Sequence, residues 1–178
     1  MQIFHASGAV SRSAATAQPI VLAGLFTALT VLFTYVFALQ TPFVRFSFGF
    51  LPLALYGAMA GPWRAAGVAA AADLLGVFLF GGGNFFPGFT LSAALEGLCY
   101  GVLFHGHRLT LRRITVTFLL VGLVIHLALN TLWLVLLYER AAPMLLAVRL
   151  PKLLICFPVR IALFSFLVPP FVRMLARR

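Results

Sequence analysis

The strongest constraint on this chain is a succession of long apolar stretches, separated only by short polar breaks and carrying almost no charge within them. A transmembrane helix needs about 20 mostly apolar residues, and the stretches recur on roughly that scale from Pro19 to Val172. Soluble domains contain about 45–50% apolar and about 25% charged residues, whereas here 63% are hydrophobic and 9% charged. No water-exposed surface can be built from so few charges. The chain is therefore read as an all-α, multi-pass membrane protein, and 178 residues hold six spans with no room for a separate soluble domain.

The breaks place the spans. A first runs over 19–39, entered through Pro19, which suits a first helical turn. A loop follows at 40–47, then a short second span at 48–60 entered through Pro52. Gly61-Pro62 is a turn signal, and an Ala- and Gly-rich third span covers 63–80. Gly81-Gly82-Gly83-Asn84 breaks it, and the loop continues to Thr90 before a fourth span at 91–104. A basic connection at 105–113 leads to a fifth span at 114–138. A sixth, at 145–172, is interrupted by Pro151 and Pro158. Residues 1–18 read as a cytoplasmic N-terminal segment and 19–178 as one six-helix membrane domain. The N-terminal segment has no short apolar stretch ending in a cleavage site, so the first span is expected to remain as a helix.

Thirteen Lys and Arg against three Asp and Glu give a formal charge of +10. On a soluble protein this would suggest nucleic acid, but here the basic residues flank apolar runs, as topology and anionic lipid headgroups demand. With the N-terminus inside, Arg12, Arg64, Arg108, Arg112, Arg113, Arg173, Arg177 and Arg178 are cytoplasmic. Arg45, Arg140, Arg149 and Lys152 are then external, and Arg160 lies within a span. Eight against four favours both termini in the cytoplasm.

The external cations run against that rule. Arg149, Lys152, Cys156 and Arg160 follow spacings of three and four and so share a helix face. Such a stripe suits a wet cavity that receives an anion. Alternatively Arg160 pairs with Asp73 or Glu96 while Arg149 and Lys152 reach headgroups. Arg45 precedes Phe46, Phe48 and Phe50, which would suit a flat anionic ligand or an interfacial aromatic belt. His126, Asn130 and Trp133 lie near one face of the fifth helix, and an intramembrane amide needs a partner, protein or ligand. Ala23, Gly24, Thr27 and Ala28 form small-xxx-small pairs that let another helix approach closely. Ala65, Ala69 and Asp73, with Gly67 and Ala71, offer a second such surface. Cys99 and Cys156 have no metal-ligand spacing and read as buried hydrophobes. There is no nucleotide-cradling loop, no nucleophile elbow and no paired-histidine metal motif, so an enzyme has no residues to rest on.

Several segments resemble a known family. Arg45-Phe-Ser-Phe-Gly-Phe-Leu-Pro52, with Gly57 and Gly61-Pro62, is similar to the second-helix pattern of the substrate-binding (S) components of energy-coupling factor (ECF) vitamin importers. Asp73-Leu-Leu-Gly76 and Phe85-Phe-Pro-Gly-Phe-Thr-Leu-Ser92 resemble the folate-specific branch, as do Leu129-Asn-Thr-Leu-Trp133 and Arg149. Gly81 to Asn84 depart from the Pro-containing approach more usual there. The resemblance implies six helices in a bacterial cytoplasmic membrane and a folate site open to the outer face, built from the first, third and fifth loops. It also implies docking through the small residues of the first helix onto a membrane scaffold that carries two ATP-binding subunits, and toppling within the bilayer to release the vitamin. Folate would be cargo, and no cofactor is expected. Its pterin would stack on Phe48, Phe86 or Trp133 and bond to Asn130. Its glutamate tail would pair with Arg149, Lys152 or Arg45, since guanidinium suits carboxylate. Ser47, Pro87 and Gly88 complete the expected site. The alternatives are an S component for another vitamin or modified base, and a non-transporting scaffold subunit.

Overall fold

The computed structural model describes residues 6–37, 39–40, 45–80, 85–138, 154 and 156–167, with side chains from Gln18 onward in the first helix. Helix α1 (Ala6–Val31) runs on without a break as a π-helical turn, Leu32–Val36. It starts well before the expected position 19, and Pro19 lies inside it. The preceding Ala14, Ala15 and Ala17 are strong helix formers, and the helix runs through Pro19 although the proline removes one amide hydrogen bond. Two-residue strands β1 (Leu39–Gln40) and β2 (Arg45–Phe46) pair antiparallel within what the sequence presents as a plain loop.

Helix α2 (Phe50–Ala60) has 11 residues, which at about 1.5 Å each extend only about half way through a hydrocarbon core of roughly 30 Å. Gly61, with a φ of 88° that only glycine adopts freely, ends it and starts α3 (Pro62–Phe80), as the Gly61-Pro62 pair predicts. Helix α4 (Pro87–Phe104) begins four residues before the expected 91. Pro87 occupies its first position, where the missing N–H costs nothing, after an extended Phe86. The same proline that reads as a loop residue is the start of the helix.

Helix α5 (Leu111–Leu120) also starts earlier than expected, because the Thr110 side chain caps it by accepting from the Arg113 N–H at 3.4 Å. It continues through a π-helical stretch (Val121–Leu129) into α6 (Asn130–Tyr138), making one rod. Helix α7 (Cys156–Leu167) runs through Pro158 without a break, so that proline does not interrupt it. Among the described residues, Gln18–Val36, Pro62–Phe80, Pro87–Phe104 and Leu111–Leu137 are long and apolar enough to cross a membrane, while α2 and α7 are shorter apolar helices. Leu25, Trp63, Phe78, Leu136 and Phe166 are exposed, as lipid-facing side chains should be. The structure is thus that of a helical multi-pass membrane protein.

Small residues bring the helices together. A Cβ on Gly97 of α4 would meet the Ala65 backbone and the Ala69 side chain of α3. A Cβ on Gly57 of α2 would lie 3.0 Å from the Gly101 nitrogen of α4. With lipid as apolar as any side chain, such close approach replaces the hydrophobic effect as the attraction between helices. At one end of α4 an aromatic cluster fills the interior. Phe164 of α7 stacks on Phe104 at 5.0 Å and meets Phe118 of α5 at 5.2 Å, while Tyr100 and Phe50 both approach Phe118 at 5.6 Å.

Candidate binding site

Every fourth residue of α4 turns inward, and the character of that stripe changes along its length. Phe104 and Tyr100 belong to the aromatic cluster, Glu96 and Ser92 are polar, and Gly88 opens space near the start of the helix. The rod formed by α5, its π-helical stretch and α6 runs in the opposite sense beside it and matches each level. Phe118 meets Tyr100 and Phe104, His126 meets Glu96, and Trp133 meets Ser92. The π-helical stretch, with its i→i+5 bonds, widens the turn between Phe118 and Trp133. It therefore changes which side chains of the rod face α4 beyond His126.

At the middle level, Glu96 Oε1 accepts from the Tyr100 hydroxyl at 3.0 Å and lies 3.5 Å from His126 Nε2. The same His126 nitrogen is 3.0 Å from Arg160 Nη1 of α7. A guanidinium has only donors, so the imidazole accepts there. The Arg160 guanidinium also lies 5.1 Å from the Phe50 ring centre. Of the two partners the sequence leaves open for Arg160, the structure brings it to Glu96, by way of His126, and leaves Asp73 apart from it. Asp73 Oδ2 instead accepts from Thr90 Oγ1 at 2.7 Å, joining α3 to α4.

A cavity of about 180 Å³ opens over this level. Thr30, Thr34 and Tyr35 reach it from the end of α1 and its π-helical turn, and Ser47, Gly49 and Phe50 from the entry to α2. Ala69, Ala72 and Asp73 form its α3 wall, Ala93 and Glu96 its α4 wall, and His126 and Arg160 its floor. The alanines leave the volume that larger side chains would fill. Next to it, Trp133 Nε1 donates to Ser92 Oγ at 3.0 Å, and the Trp133 ring lies 5.7 Å from Phe86. Gly88 is buried beneath both rings, where a Cβ would collide with them. The Asn130 side-chain oxygen is buried with no hydrogen-bond partner among the described residues.

The expected site residues distribute as follows. Ser47 lines the cavity, and Phe86, Gly88 and Trp133 form one aromatic group with Pro87 exposed at the head of α4. Phe48 packs against the apolar core, and its N–H donates to the Phe33 carbonyl at 3.1 Å. The backbone of Arg45 pairs with Gln40 in the hairpin, and its side chain is outside the described residues. Arg149 and Lys152 lie outside the described residues as well. On α1 the four small residues divide between two faces. Thr27 is buried and bonds back to the Ala23 carbonyl at 2.8 Å, while Gly24 and Ala28 face outward. Thr30, Thr34 and Tyr35 carry no signal in the sequence, and Ser92 stands there only as the last residue of the folate-branch segment. Hydroxyls on an apolar helix normally bond to their own preceding turn, as Thr30 does to Phe26 at 2.7 Å, so their residue type gives no signal.

A helical membrane body with a polar cavity enclosed among its helices, and with no catalytic constellation in it, is what a membrane receptor for a small solute presents. The chain belongs to the substrate-specific components of ECF transporters, whose family profile matches residues 18–172. It is a transporter component, and not an enzyme. It is similar to the folate transporter FolT of Clostridium novyi, at 39% identity over 131 residues, 74% of this chain and 76% of that one. It is also similar to FolT of Leuconostoc mesenteroides, at 32% identity over 71% of this chain and 72% of the relative. Among solved structures, the crystal structure of FolT bound with folic acid superposes with a TM-score of 0.78 at 36% identity, covering 84% of this chain and 91% of the other.

Proposed function

We propose that this chain is a folate receptor of the bacterial cytoplasmic membrane, the S component that captures folate at the outer face for an ATP-driven ECF importer. The observation that carries this reading is the likeness to FolT with folic acid bound, at 36% identity and a TM-score of 0.78. The chemistry of the site agrees with it. Phe86 and Trp133 offer aromatic faces, and the buried Asn130 amide oxygen has no partner among the described residues. Ser47 borders the cavity, with Phe48, Pro87 and Gly88 shaping its approach. Arg45, Arg149 and Lys152 supply cations for the two carboxylates of the glutamate tail. The full body has six helices with both termini cytoplasmic. Of the expected docking residues Ala23, Gly24, Thr27 and Ala28, the exposed Gly24 and Ala28 form the face that docks on the scaffold subunit, which brings two ATP-binding subunits with it. Folate is cargo and no cofactor is required.

Calorimetry on the detergent-purified chain tests this. Folic acid is expected to bind one to one and tightly, and a panel of other water-soluble vitamins is expected not to compete. A chain that ignored folic acid and bound another vitamin would overturn the folate assignment and leave the family membership intact.

A further inference from the structure

The cavity contains two carboxylates in different electrical surroundings. Glu96 has the Tyr100 hydroxyl and, at His126, the Arg160 guanidinium. Asp73 has the Thr90 hydroxyl and, among the described residues, no cation within ion-pairing distance. The Thr90 hydroxyl takes one lone pair of Oδ2, and a carboxylate has about four such sites, so Asp73, which lines the cavity, keeps acceptor sites on both oxygens. A carboxylate inside a membrane protein with one neutral partner is poorly compensated. It is an acceptor waiting for donors.

The size of the cavity restricts what those donors belong to. Pockets for drug-sized ligands run from about 300 to 1,000 Å³, and this one is about 180 Å³. It holds one ring system of a folate-sized molecule and leaves the remainder outside. Its walls suit a flat group, with Ala69 and Ala72 on one side and the Tyr35 and Phe50 rings also present. The tail of folate, with two carboxylates, would meet Asp73, which has no cation within ion-pairing distance among the described residues, while the Arg160 guanidinium of the same cavity is already engaged by His126. The pterin end carries two adjacent N–H donors, one on the 2-amino group and one on the neighbouring ring nitrogen. They are spaced to meet the two oxygens of a carboxylate, as a guanidinium does.

We propose that Asp73 is the residue that recognises the donor edge of the pterin, held in position by Thr90, with the ring seated in the cavity and the glutamate tail directed outward. This assignment rests on the folate reading above and adds to it a specificity-determining residue. Thr90 is a positioning residue: its hydroxyl fixes the rotamer of Asp73 and leaves acceptor sites on both oxygens for the ligand.

The test compares three ligands, folic acid, its 2-desamino analogue and pteroic acid, on the purified parent chain and on Asp73→Asn. The parent is expected to favour folic acid over the desamino analogue by at least about tenfold, the scale of a hydrogen bond to a charged acceptor. Asp73→Asn is expected to lose most of that preference while keeping the parent's ratio between folic and pteroic acids, which reports the tail. A parent that did not bind folic acid would remove the folate reading and this assignment together. If the parent binds folic acid and Asp73→Asn keeps the full preference against the desamino analogue, the assignment is overturned and the folate reading stands. An equal loss for all three ligands would make Asp73 a structural residue and likewise overturn it. Should Asp73→Asn not yield folded protein, Thr90→Val takes its place. A narrowed preference supports the assignment and an unchanged one overturns it.

Discussion

Glu96 and Arg160 would each be costly alone inside a bilayer, by about 3 kcal/mol on insertion scales and more by other measures. In this fold they share His126 as a neighbour, and the Tyr100 hydroxyl supplies a further donor to the acid. The arrangement makes a specific prediction. Glu96→Ala takes from Arg160 the acid that meets it at His126 among the described residues and is expected to destabilise the protein by about 3–5 kcal/mol, the cost of breaking a buried pair from one side. The double variant Glu96→Ala/Arg160→Leu removes both charges and is expected to recover most of the loss. Thermal unfolding in detergent measures both, and a double variant no more stable than the single one would show that the pair is not coupled. This partnership was only half legible in the sequence. Intramembrane charges of opposite sign announce that pairing is required, but the choice between Asp73 and Glu96 depends on how helices far apart in sequence face each other. The role of Thr90 beside Asp73 was hidden for the same reason.

Among the elements, the contact between α3 and α4 depends on glycine and alanine where the two backbones approach, whereas the outer face of α3 carries small residues that touch nothing. Gly97 and Gly67 represent the two cases, since a Cβ at Gly97 meets α3 while one at Gly67 meets nothing within 4 Å. Gly97→Leu is expected to force the helices apart and lower stability by about 1–3 kcal/mol, in the range of overpacked interiors. Gly67→Leu is expected to be neutral, or stabilising by up to about 1 kcal/mol through helix propensity. Parallel melting curves decide this, and equal losses at both sites would refute the distinction. The apolar runs and the Gly61-Pro62 turn revealed which segments are helices. They did not reveal where α1 and α4 begin, because proline marks a helix start and a loop with the same letter. The two π-helical stretches left no trace in the sequence either. One extra residue per turn changes the facing side chains without changing composition, and it alters the relation of His126 to Trp133 that a 3.6-residue period implies.

For the molecule as a whole, Gly24 and Ala28 are exposed on α1, away from the cavity, so the docking face proposed above stands apart from the proposed ligand site. A combined Gly24→Leu/Ala28→Leu variant is expected to bind folic acid within about twofold of the parent, because additive behaviour holds for sites with no shared partners. It is expected to lose vesicle uptake when reconstituted with a coupling module. Binding and uptake measured on the same preparation separate these effects, and unchanged uptake would rule out this face as the docking surface. The electrical state of the interior matters for the same body. One elementary charge carried across 100 mV exchanges about 2.3 kcal/mol with the membrane potential. Glu96 and Arg160, opposite in sign and gathered at one histidine, carry no net charge between them. When the body shifts or tilts in the bilayer, the field does almost no work on that pair, so voltage acts on its movement through Asp73 and the other charges and not through the two ions gathered at His126.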